Sequence, residues 1–347
     1  MLKKMRRAIA RAVGALALVL GALLASQVPA FAQTCTTSAQ YGICFYADPG
    51  TDVQNNVWNL SAQPASTQTL TANSVDNWSV TADMPAGNTQ VVSYPDTNWI
   101  PANPEPMTYY DDIDSRFHVT LPARPGGTDD YEAAYDVWLG NLAGGAGAQE
   151  VMIWNDNHNQ TPSGSDTGVT WTDPTTRDVY TIWASFPGNP VSLVADTNTA
   201  TGSADIFAAI NDLYNSGYIT TDTLYAIDYG FEICSTSGAA ENFSVSSYSL
   251  AATPAPGAPT LLTVSTSGVT VRATWSAGTG ATEYQYQLVT PGGTVEAGPG
   301  NTRGTSAAIS GTKAGSVIFQ VRSGNASGWS PWWTASNTLT LTKPTGR

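Results

Sequence analysis

Two glutamates stand out in this sequence because each lies in an apolar run that is typical of a β-strand. Glu150 begins the run Glu-Val-Met-Ile-Trp, and Glu232 lies in Gly-Phe-Glu-Ile-Cys. Since alternate strand residues share a face, Glu150 lies opposite Val151 and Ile153, the expected core residues. Two such carboxyl groups facing one groove are what glycoside hydrolysis requires. One ionises and attacks the anomeric carbon, while the other donates a proton to the leaving oxygen.

A third carboxyl group, Asp136, lies in the strand-like run Ala-Ala-Tyr-Asp-Val-Trp-Leu. It alternates with Ala134 and Trp138, so it could hydrogen-bond a nearby carboxyl group and tune its pKa. Plainer interpretations remain open for all three residues. A lone Glu in a strand is more often solvated, and Asp136 could instead be a cap or turn residue at a strand end.

The remaining acidic residues are interpreted as solvated surface. Most of the Asp residues lie in polar stretches that resemble turns, such as Tyr-Tyr-Asp-Asp-Ile-Asp-Ser at 109–115 and Gly-Gly-Thr-Asp-Asp-Tyr-Glu at 126–132. Gly230 is a different signal, because it lies between Asp228 and Glu232 on one strand face. The missing side chain leaves room for something to approach the backbone there.

Short β-like runs separated by turn signals make up most of the chain before the Pro-rich stretch 251–260. Their regular spacing favours an antiparallel sandwich or barrel over βαβ units. The exception is the stretch 202–219, whose apolar residues recur at helical spacing after Asp205 and before Gly217. This pattern predicts one helix packed on a sheet.

The Pro-rich stretch itself predicts an extended linker, and all but two of the 27 acidic residues precede it. The short strands that follow resemble a fibronectin type III module, with Trp275, Tyr284 and Tyr286 packing between two sheets. The predicted organisation is an export leader followed by a β domain, a linker and the module, at 1–32, 33–252, 253–259 and 260–345.

The first 32 residues are predicted to be a secretory signal peptide. Five basic residues precede an apolar run at 12–25, and Ala30-Phe31-Ala32 forms a cleavage signal before Gln33. No later segment approaches spanning length, so we expect an exported protein that is not held in a membrane. Without the leader, 9 of the 14 Lys and Arg remain against 27 Asp and Glu. The resulting net charge of about −18 disfavours nucleic acid and anionic membranes as partners.

Cysteine and histidine contents point away from a metal or cofactor. In an oxidising compartment Cys35 and Cys44 are expected to form a disulfide across a short loop, which leaves Cys234 as a buried thiol. Two histidines, His118 and His158, are too few for a three-His metal site, and no nucleotide- or metal-binding motif occurs. The abundant Ser, Thr, Asn and Trp suit a protein that binds neutral sugars, since indoles stack on sugar rings and amides meet sugar hydroxyls.

Several short motifs follow one another in the order found in glycoside hydrolase family 12: NNVW, SYP, YDVWL, EVMIW, NSGYI and GFEI with FSVSSYSL. The resemblance spans most of residues 35–250. It implies a two-sheet β-jelly roll with an open cleft for β-1,4-glucan chains and a retaining double displacement. By motif position it implies that Glu150 is the nucleophile, Glu232 the acid/base and Asp136 the carboxyl group that supports the nucleophile.

The resemblance also implies a set of substrate-binding residues. Asn56 and Trp58 of NNVW match a polar contact and a stacking platform on the glycone side, while Met152 and Trp154 match residues that line the same subsite as the nucleophile. Residues two apart in a strand share a face, so Trp58 and Asn56 could both face a sugar. The chain departs from the family at Asn59, where the family commonly has Gly.

The sequence therefore predicts a secreted, monomeric, endo-acting glycoside hydrolase that cleaves β-1,4-glucosidic bonds in cellulose-type glucans, mixed-linkage β-glucan or xyloglucan. Two alternatives remain. A non-catalytic glucan-binding protein would keep the groove and its indoles, and a structural cell-surface protein would make the placement of Glu150 and Glu232 accidental.

Overall fold

The structure is a computed structural model, and it describes residues 34–48, 50–122, 127–185, 189–325, 328–335 and 337–342. The predicted signal peptide and Gln33 lie outside the described residues. Within these ranges, no helix combines the length and the apolar character needed to cross a membrane.

The described chain is almost entirely β-sheet, with a single α-helix, α1 (Ile206–Asn215), so the all-β prediction is confirmed. The strands in chain order are β1 (Cys35–Thr37), β2 (Ile43–Asp48), β3 (Thr51–Gln54), β4 (Thr67–Ser74), β5 (Asn77–Asp83), β6 (Asp96–Trp99), β7 (Glu105–Pro106), β8 (Tyr110–Thr120), β9 (Asp129–Leu139), β10 (Gln149–His158), β11 (Ser165–Thr172), β12 (Val179–Ala184), β13 (Val191–Ala195), β14 (Thr201–Asp205), β15 (Thr223–Thr236), β16 (Ala240–Pro254), β17 (Thr260–Ser267), β18 (Thr270–Ser276), β19 (Glu283–Val289), β20 (Val295–Thr302), β21 (Ser306–Ser310), β22 (Gly315–Gly324), β23 (Trp333–Thr334) and β24 (Leu339–Leu341).

The first sixteen strands form two sheets. One has six strands in the order β1-β4-β5-β16-β8-β14, and the other has ten, in the order β11-β12-β13-β10-β9-β15-β6-β3-β2 with β7 beside β15. In the ten-stranded sheet β10 and β13 run parallel, whereas β9 is antiparallel to both of its neighbours, β10 and β15. The strand β9 therefore lies at the centre of the region that carries the candidate glutamates.

Strand alternation decides which side chains fill the space between the two sheets. Val151 and Ile153 of β10 and Tyr229 and Phe231 of β15 are buried in one continuous hydrophobic core, as the sequence predicts. Phe231 meets Trp78 of the other sheet edge-on, with ring centroids 5.5 Å apart. Burying an aromatic side chain contributes about 1.5–3 kcal/mol. The alternate residues of β9, β10 and β15 consequently face away from this core.

The helix α1 begins and ends where the sequence predicts. The carboxylate of Asp205 accepts a hydrogen bond from the backbone N–H of Ala208 at 2.8 Å and so caps the first turn. Gly217 adopts a positive φ of 77° after the last turn, which suits a glycine at a helix end. The helix packs on β8 of the six-stranded sheet.

The last eight strands form two further sheets, β17-β18-β21 and β20-β19-β22-β23, with β24 beside β22. They enclose a second hydrophobic core in which Trp275 and Tyr284 are buried and Tyr286 is packed against the edge. Strand β16 continues to Pro254, so its end overlaps the first two residues of the predicted linker. The two cores share no residue.

The cysteines occupy two parts of the first sandwich. Cys35 on β1 and Cys44 on β2 form a disulfide with a Cα–Cα distance of 5.7 Å. Cys234 is a free, buried thiol on β15. Burial raises its pKa far above the ordinary value for a thiol, so it stays protonated and unreactive at neutral pH.

Candidate active site

The register of β9, β10 and β15 brings carboxyl groups together on one face of the ten-stranded sheet. Asp136 on β9 lies opposite Asp228 on β15, and Glu132 lies opposite Glu232. On the other side of β9, Glu150 lies two residues before the partner of Asp136 on β10 and so shares its face. The surface turned away from the core therefore carries five carboxyl groups from three strands.

These side chains line a pocket of about 340 Å³. The pocket is large enough for a small ligand. It is lined by Asn56, Trp58, Tyr94, Asp136, Trp138, Ala143, Glu150, Asp228 and Glu232. These include both candidate glutamates and three more of the predicted site residues, namely Asn56, Trp58 and Asp136. None of these lining residues is basic. The structure thus brings together five of the seven residues that the sequence assigns to catalysis or substrate binding.

The other two predicted binding residues share a strand face with Glu150 but are buried there. Met152 and Trp154 are only 4% and 2% exposed, and they pack with Ala134 and Val194 in a small apolar cluster. Neither is part of the pocket lining, so their contact with substrate remains a prediction without support from the geometry. Trp138 lies in the pocket instead, and its ring N–H donates to Asp228 Oδ2 at 3.1 Å.

Asp136 and Glu150 form a carboxyl pair. Burial raises the pKa of Asp136 well above its ordinary value, and the negative charge of Glu150 raises it further. Burial raises the pKa of Glu150 to about 8, with a contribution from the charge of Glu232, while a hydrogen bond with Asp136 acts in the opposite direction. Asp136 therefore stays protonated, and its O–H donates a hydrogen bond to the Glu150 carboxylate, which favours ionisation of Glu150.

Glu232 has two supporting residues that the sequence did not assign. Gln160 donates its amide N–H to Glu232 Oε2 at 2.7 Å. Burial raises the pKa of Glu232 to about 7, and the hydrogen bonds with Gln160 and Glu132 limit that rise. Glu132 itself is completely buried, and burial together with the charge of Glu232 raises its pKa well above the ordinary value.

The acidic stretch 126–132 was interpreted from sequence as a solvated turn, and this is wrong for its last four residues. They begin β9, where Asp129, Asp130 and Glu132 are 3%, 8% and 0% exposed. The stretch 109–115 is likewise mostly strand β8. The signal that could have revealed Glu132 was alternation, because it lies four residues before Asp136 and hence on the same strand face. Gln160 follows β10 in a loop, where no such pattern exists.

The predicted glycone side lies around Trp58 and Asn56. The Trp58 side chain is 47% exposed at the pocket wall, so its indole face is available for stacking. Asn56 donates its amide N–H to Asp96 Oδ2 at 3.2 Å, which fixes its orientation. Asn59, which stands where the family commonly has Gly, has an ordinary backbone conformation and donates its amide N–H to the backbone oxygen of Val91 at 2.9 Å.

Gly230 has a packing role. A Cβ atom at this position would lie 1.9 Å from the backbone oxygen of Pro95 and 2.9 Å from Asp96 Cα. The space that the sequence suggested beside Gly230 is therefore filled by the chain that leads into β6. This close approach holds β6 against β15, and with it the Asp228 carboxylate, whose Oδ1 accepts from the Asn98 amide.

Acidic side chains spaced for a metal ion occur at one place among the described residues, and it is not this pocket. Asp112 and Asp114 on β8 approach Asp205 there. Asp205 is already the N-cap of α1. The three side chains are half-buried surface groups that belong to the helix junction.

No protein-family model and no curated protein matches this chain. Its fold is similar to solved structures of family 12 glycoside hydrolases. Endoglucanase 3 of family GH12 from Trichoderma harzianum is 22% identical with a TM-score of 0.55, over 64% of this chain and 98% of that chain. Endoglucanase cel12A from Rhodothermus marinus is 22% identical with a TM-score of 0.52, over 63% and 99%.

A native family 12 xyloglucanase from Bacillus licheniformis is 19% identical with a TM-score of 0.53, over 63% of this chain and all of that chain. At these identities the similarity establishes the fold alone. The prediction of a β-jelly roll of this type is confirmed.

Proposed function

We propose that the protein is a secreted, endo-acting, retaining glycoside hydrolase that cleaves β-1,4-glucosidic bonds in cellulose-type glucans, mixed-linkage β-glucan or xyloglucan. One observation carries this proposal. Glu150 and Glu232 reach a single pocket from strands on either side of β9, and each has a hydrogen bond with a buried carboxyl group of β9. The jelly-roll fold, which is also that of solved endoglucanases and xyloglucanases, supports the same assignment.

The proposed reaction has two displacements. In the first, Glu232 gives its proton to the glycosidic oxygen while the Glu150 carboxylate attacks the anomeric carbon, so the C–O bond breaks and a glycosyl ester forms. In the second, the Glu232 carboxylate takes a proton from water, and the water oxygen displaces Glu150 from the anomeric carbon. Glu232 ends protonated and Glu150 ends ionised, as they began.

This cycle needs one acid and one carboxylate in the same pocket. The charge of Glu232 contributes to the raised pKa of Glu150, so the two titrate as a pair, and the cycle needs the state in which the pair holds a single proton, on Glu232. The hydrogen bond from Asp136 favours placing the negative charge on Glu150. Since the pKa values of both glutamates are raised toward 7 and 8, we expect the activity to be greatest at neutral or slightly alkaline pH.

The pocket suits a neutral sugar. Its described lining residues include four carboxyl groups and none that is basic, which would repel uronic acids. The exposed indole of Trp58 offers a stacking surface for a pyranose ring, and the amide of Asn56 lies beside it.

The decisive experiment is a panel of cellulose, mixed-linkage β-glucan and xyloglucan, read by product size and by the anomeric configuration of the first product. Wild type is expected to release oligosaccharides with retained configuration, and Glu150→Gln and Glu232→Gln to lose at least about a hundredfold in kcat. Glu241→Gln, on the six-stranded sheet, is the matched control and should retain activity. Inverted products would overturn the double displacement.

A non-catalytic glucan-binding protein remains the second candidate. It predicts that wild type releases no reducing sugar and that glucan binding survives Glu150→Gln. The buried carboxyl groups favour the enzyme, because removing them from water is costly and a binding surface has no need of it.

We further propose that the last eight strands form a fibronectin type III-like spacer. Two indoles of the segment Gly328–Trp333 are stacked on Arg322, whose guanidinium carbon lies 5.0 Å from the ring centre of Trp329 and 4.5 Å from that of Trp332. Such stacking uses their faces for packing. Deleting residues 256–347 should therefore leave binding to insoluble cellulose unchanged, and lost binding with intact activity on soluble glucan would show a binding module.

Export is part of the proposal, and the Cys35–Cys44 disulfide supports it because disulfides persist in oxidising compartments. N-terminal sequencing of protein recovered from the culture medium should begin at Gln33.

A further inference from the structure

Glu132 is the most deeply buried acidic side chain near the pocket and has no role in the mechanism above. It is 0% exposed, and among the described residues neither of its carboxyl oxygens has a partner apart from another carboxyl group. Its position on β9 lies opposite Glu232 on β15. Burying an ionised carboxylate without a compensating charge or donor is strongly unfavourable, so Glu132 must be a protonated acid.

The arrangement repeats the one around Glu150. Glu132 and Asp136 are four residues apart on β9 and share a face. Asp136 has a hydrogen bond with Glu150 of β10, and Glu132 has one with Glu232 of β15. The central strand thus presents one buried acid to each candidate catalytic carboxyl group, on opposite sides.

We propose that Glu132 is a positioning residue for Glu232: it stays protonated through the catalytic cycle and donates its O–H to the Glu232 carboxylate whenever Glu232 has given up its own proton. This inference rests on the proposed function. No proton leaves Glu132 in either displacement. Its O–H instead holds the Glu232 carboxylate in place during the second displacement, when that carboxylate must accept a proton from water.

The other groups around this pair do not replace Glu132 as a donor. The titratable side chains that interact with Glu132 or Glu232 are acids, a thiol and two tyrosines: Glu150, Asp136, Asp156, Cys234, Tyr94 and Tyr229. Both tyrosine hydroxyls donate elsewhere, that of Tyr94 to the backbone oxygen of Ala134 at 3.0 Å and that of Tyr229 to Asn155 Oδ1 at 3.2 Å. The His158 ring is stacked on Tyr131, with centroids 5.2 Å apart, and acts on Asp130 and Asp156. Gln160 donates to Glu232 Oε2, so a second donor is available from Glu132 alone.

The test compares Glu132→Leu, which removes the donor, with Glu132→Gln, whose amide N–H retains one. Because a hydrogen bond to a charged group favours ionisation, we expect Glu132→Leu to move the alkaline limb of the kcat/KM profile upward by about one pH unit. Glu132→Gln should move it by less than about half as much. A merely structural role predicts lower activity in both variants with the limb unmoved, and that result would overturn the proposal.

A second readout needs no activity and uses the folded wild-type protein. The chain contains seven Glu residues, at 105, 132, 150, 232, 241, 283 and 296, so carboxyl-¹³C labelling of glutamate gives a spectrum that single Gln variants can assign. We expect the Glu132 signal to remain that of an acid through the pH range in which Glu232 ionises. Titration of Glu132 near the usual glutamate value of about 4.3 would overturn the proposal whatever the fate of Glu132→Leu.

The two proposals can fail separately. If Glu132 stays protonated beside an ionised Glu232 but the protein cleaves none of the glucans in the panel, the hydrogen-bonded pair stands and the hydrolase assignment falls. If the protein is a retaining hydrolase and Glu132 ionises with the other acids, the positioning role alone falls.

Discussion

Replacing Glu232 with Gln should stabilise the protein relative to wild type as the pH rises from 5 to 8. The quantity compared is the difference in unfolding free energy between the variant and wild type at each pH. A buried carboxyl group with a raised pKa binds its proton more tightly in the folded state than in the unfolded one. The group stabilises the folded state fully when the pH is below its pKa in the unfolded chain. This stabilisation is lost as the pH rises through its pKa in the folded protein. For Glu232 this window runs from 4.5 to about 7. A neutral glutamine has no such loss.

The size of the effect follows from the width of that window. At about 1.4 kcal/mol per pH unit, the rise in the pKa of Glu232 corresponds to about 3 kcal/mol. Glu232 faces a cleft open to water, which offsets part of this cost, so we expect a relative gain of about 1–3 kcal/mol for Glu232→Gln between pH 5 and pH 8. The glutamine also keeps an oxygen that can accept from Gln160.

Urea unfolding at both pH values, followed by tryptophan fluorescence, measures this difference directly. Glu241→Gln is the control for loss of one carboxyl group outside the pocket and should show no comparable gain. A Glu232→Gln variant whose stability relative to wild type is the same at pH 5 and pH 8, or falls at pH 8, would refute the reasoning that burial raises the proton affinity of this site.

Three other perturbations test separate parts of the structure. Trp58→Ala should weaken glucan binding about tenfold with little change in unfolding free energy, because the indole is 47% exposed. Trp58→Phe should restore much of the affinity. If calorimetry shows unchanged binding by Trp58→Ala, Trp58 is not part of the site. Gly230→Ala should destabilise the protein by at least about 1–3 kcal/mol in urea unfolding, since its Cβ would overlap the backbone oxygen of Pro95; wild-type stability would contradict the close approach. Replacing both Cys35 and Cys44 with Ala should lower the unfolding free energy by about 2–3 kcal/mol without loss of activity at low temperature. A variant as stable as wild type would show that the disulfide contributes nothing to stability.

The sequence predicts well which residues form strands and which strand face is buried, but it predicts poorly which strands pair with each other. Period-two alternation in β10 and β15 placed Val151, Ile153 and Phe231 in the core, because a strand with one buried face must repeat in this way. The helix α1 was equally readable from its cap and its apolar spacing. Strand order is a different matter, since hydrogen bonding between β9 and β15 joins segments about ninety residues apart. No local pattern states which strands meet.

The same limit explains which site residues were found. Glu150, Asp136 and Glu232 were conspicuous because each interrupts an apolar run. Glu132 was overlooked because it follows Asp129 and Asp130 in a stretch that resembles a turn, although all three are buried in β9. For Met152 and Trp154 alternation gives the face they share with Glu150 but not their exposure, and their contact with substrate stays a prediction. Sharing a face with Glu150 does not make a side chain accessible, because neighbouring strands can cover it.

Pairing of acids offers one physical account of why this sheet tolerates so much buried negative charge. Five carboxyl groups from β9, β10 and β15 crowd one face, and the described pocket lining has no basic residue to neutralise them. Bound protons must therefore neutralise them, and the pKa of each acid is raised accordingly. Because the acids titrate together, the site controls the total number of protons it holds rather than the charge of any single residue. A protein selected for stability alone would replace these groups with apolar ones of similar size. Their presence at the centre of the sheet is what the proposed cycle of proton donation and return would require, and the pH-dependent loss of stability expected for Glu232 follows from it.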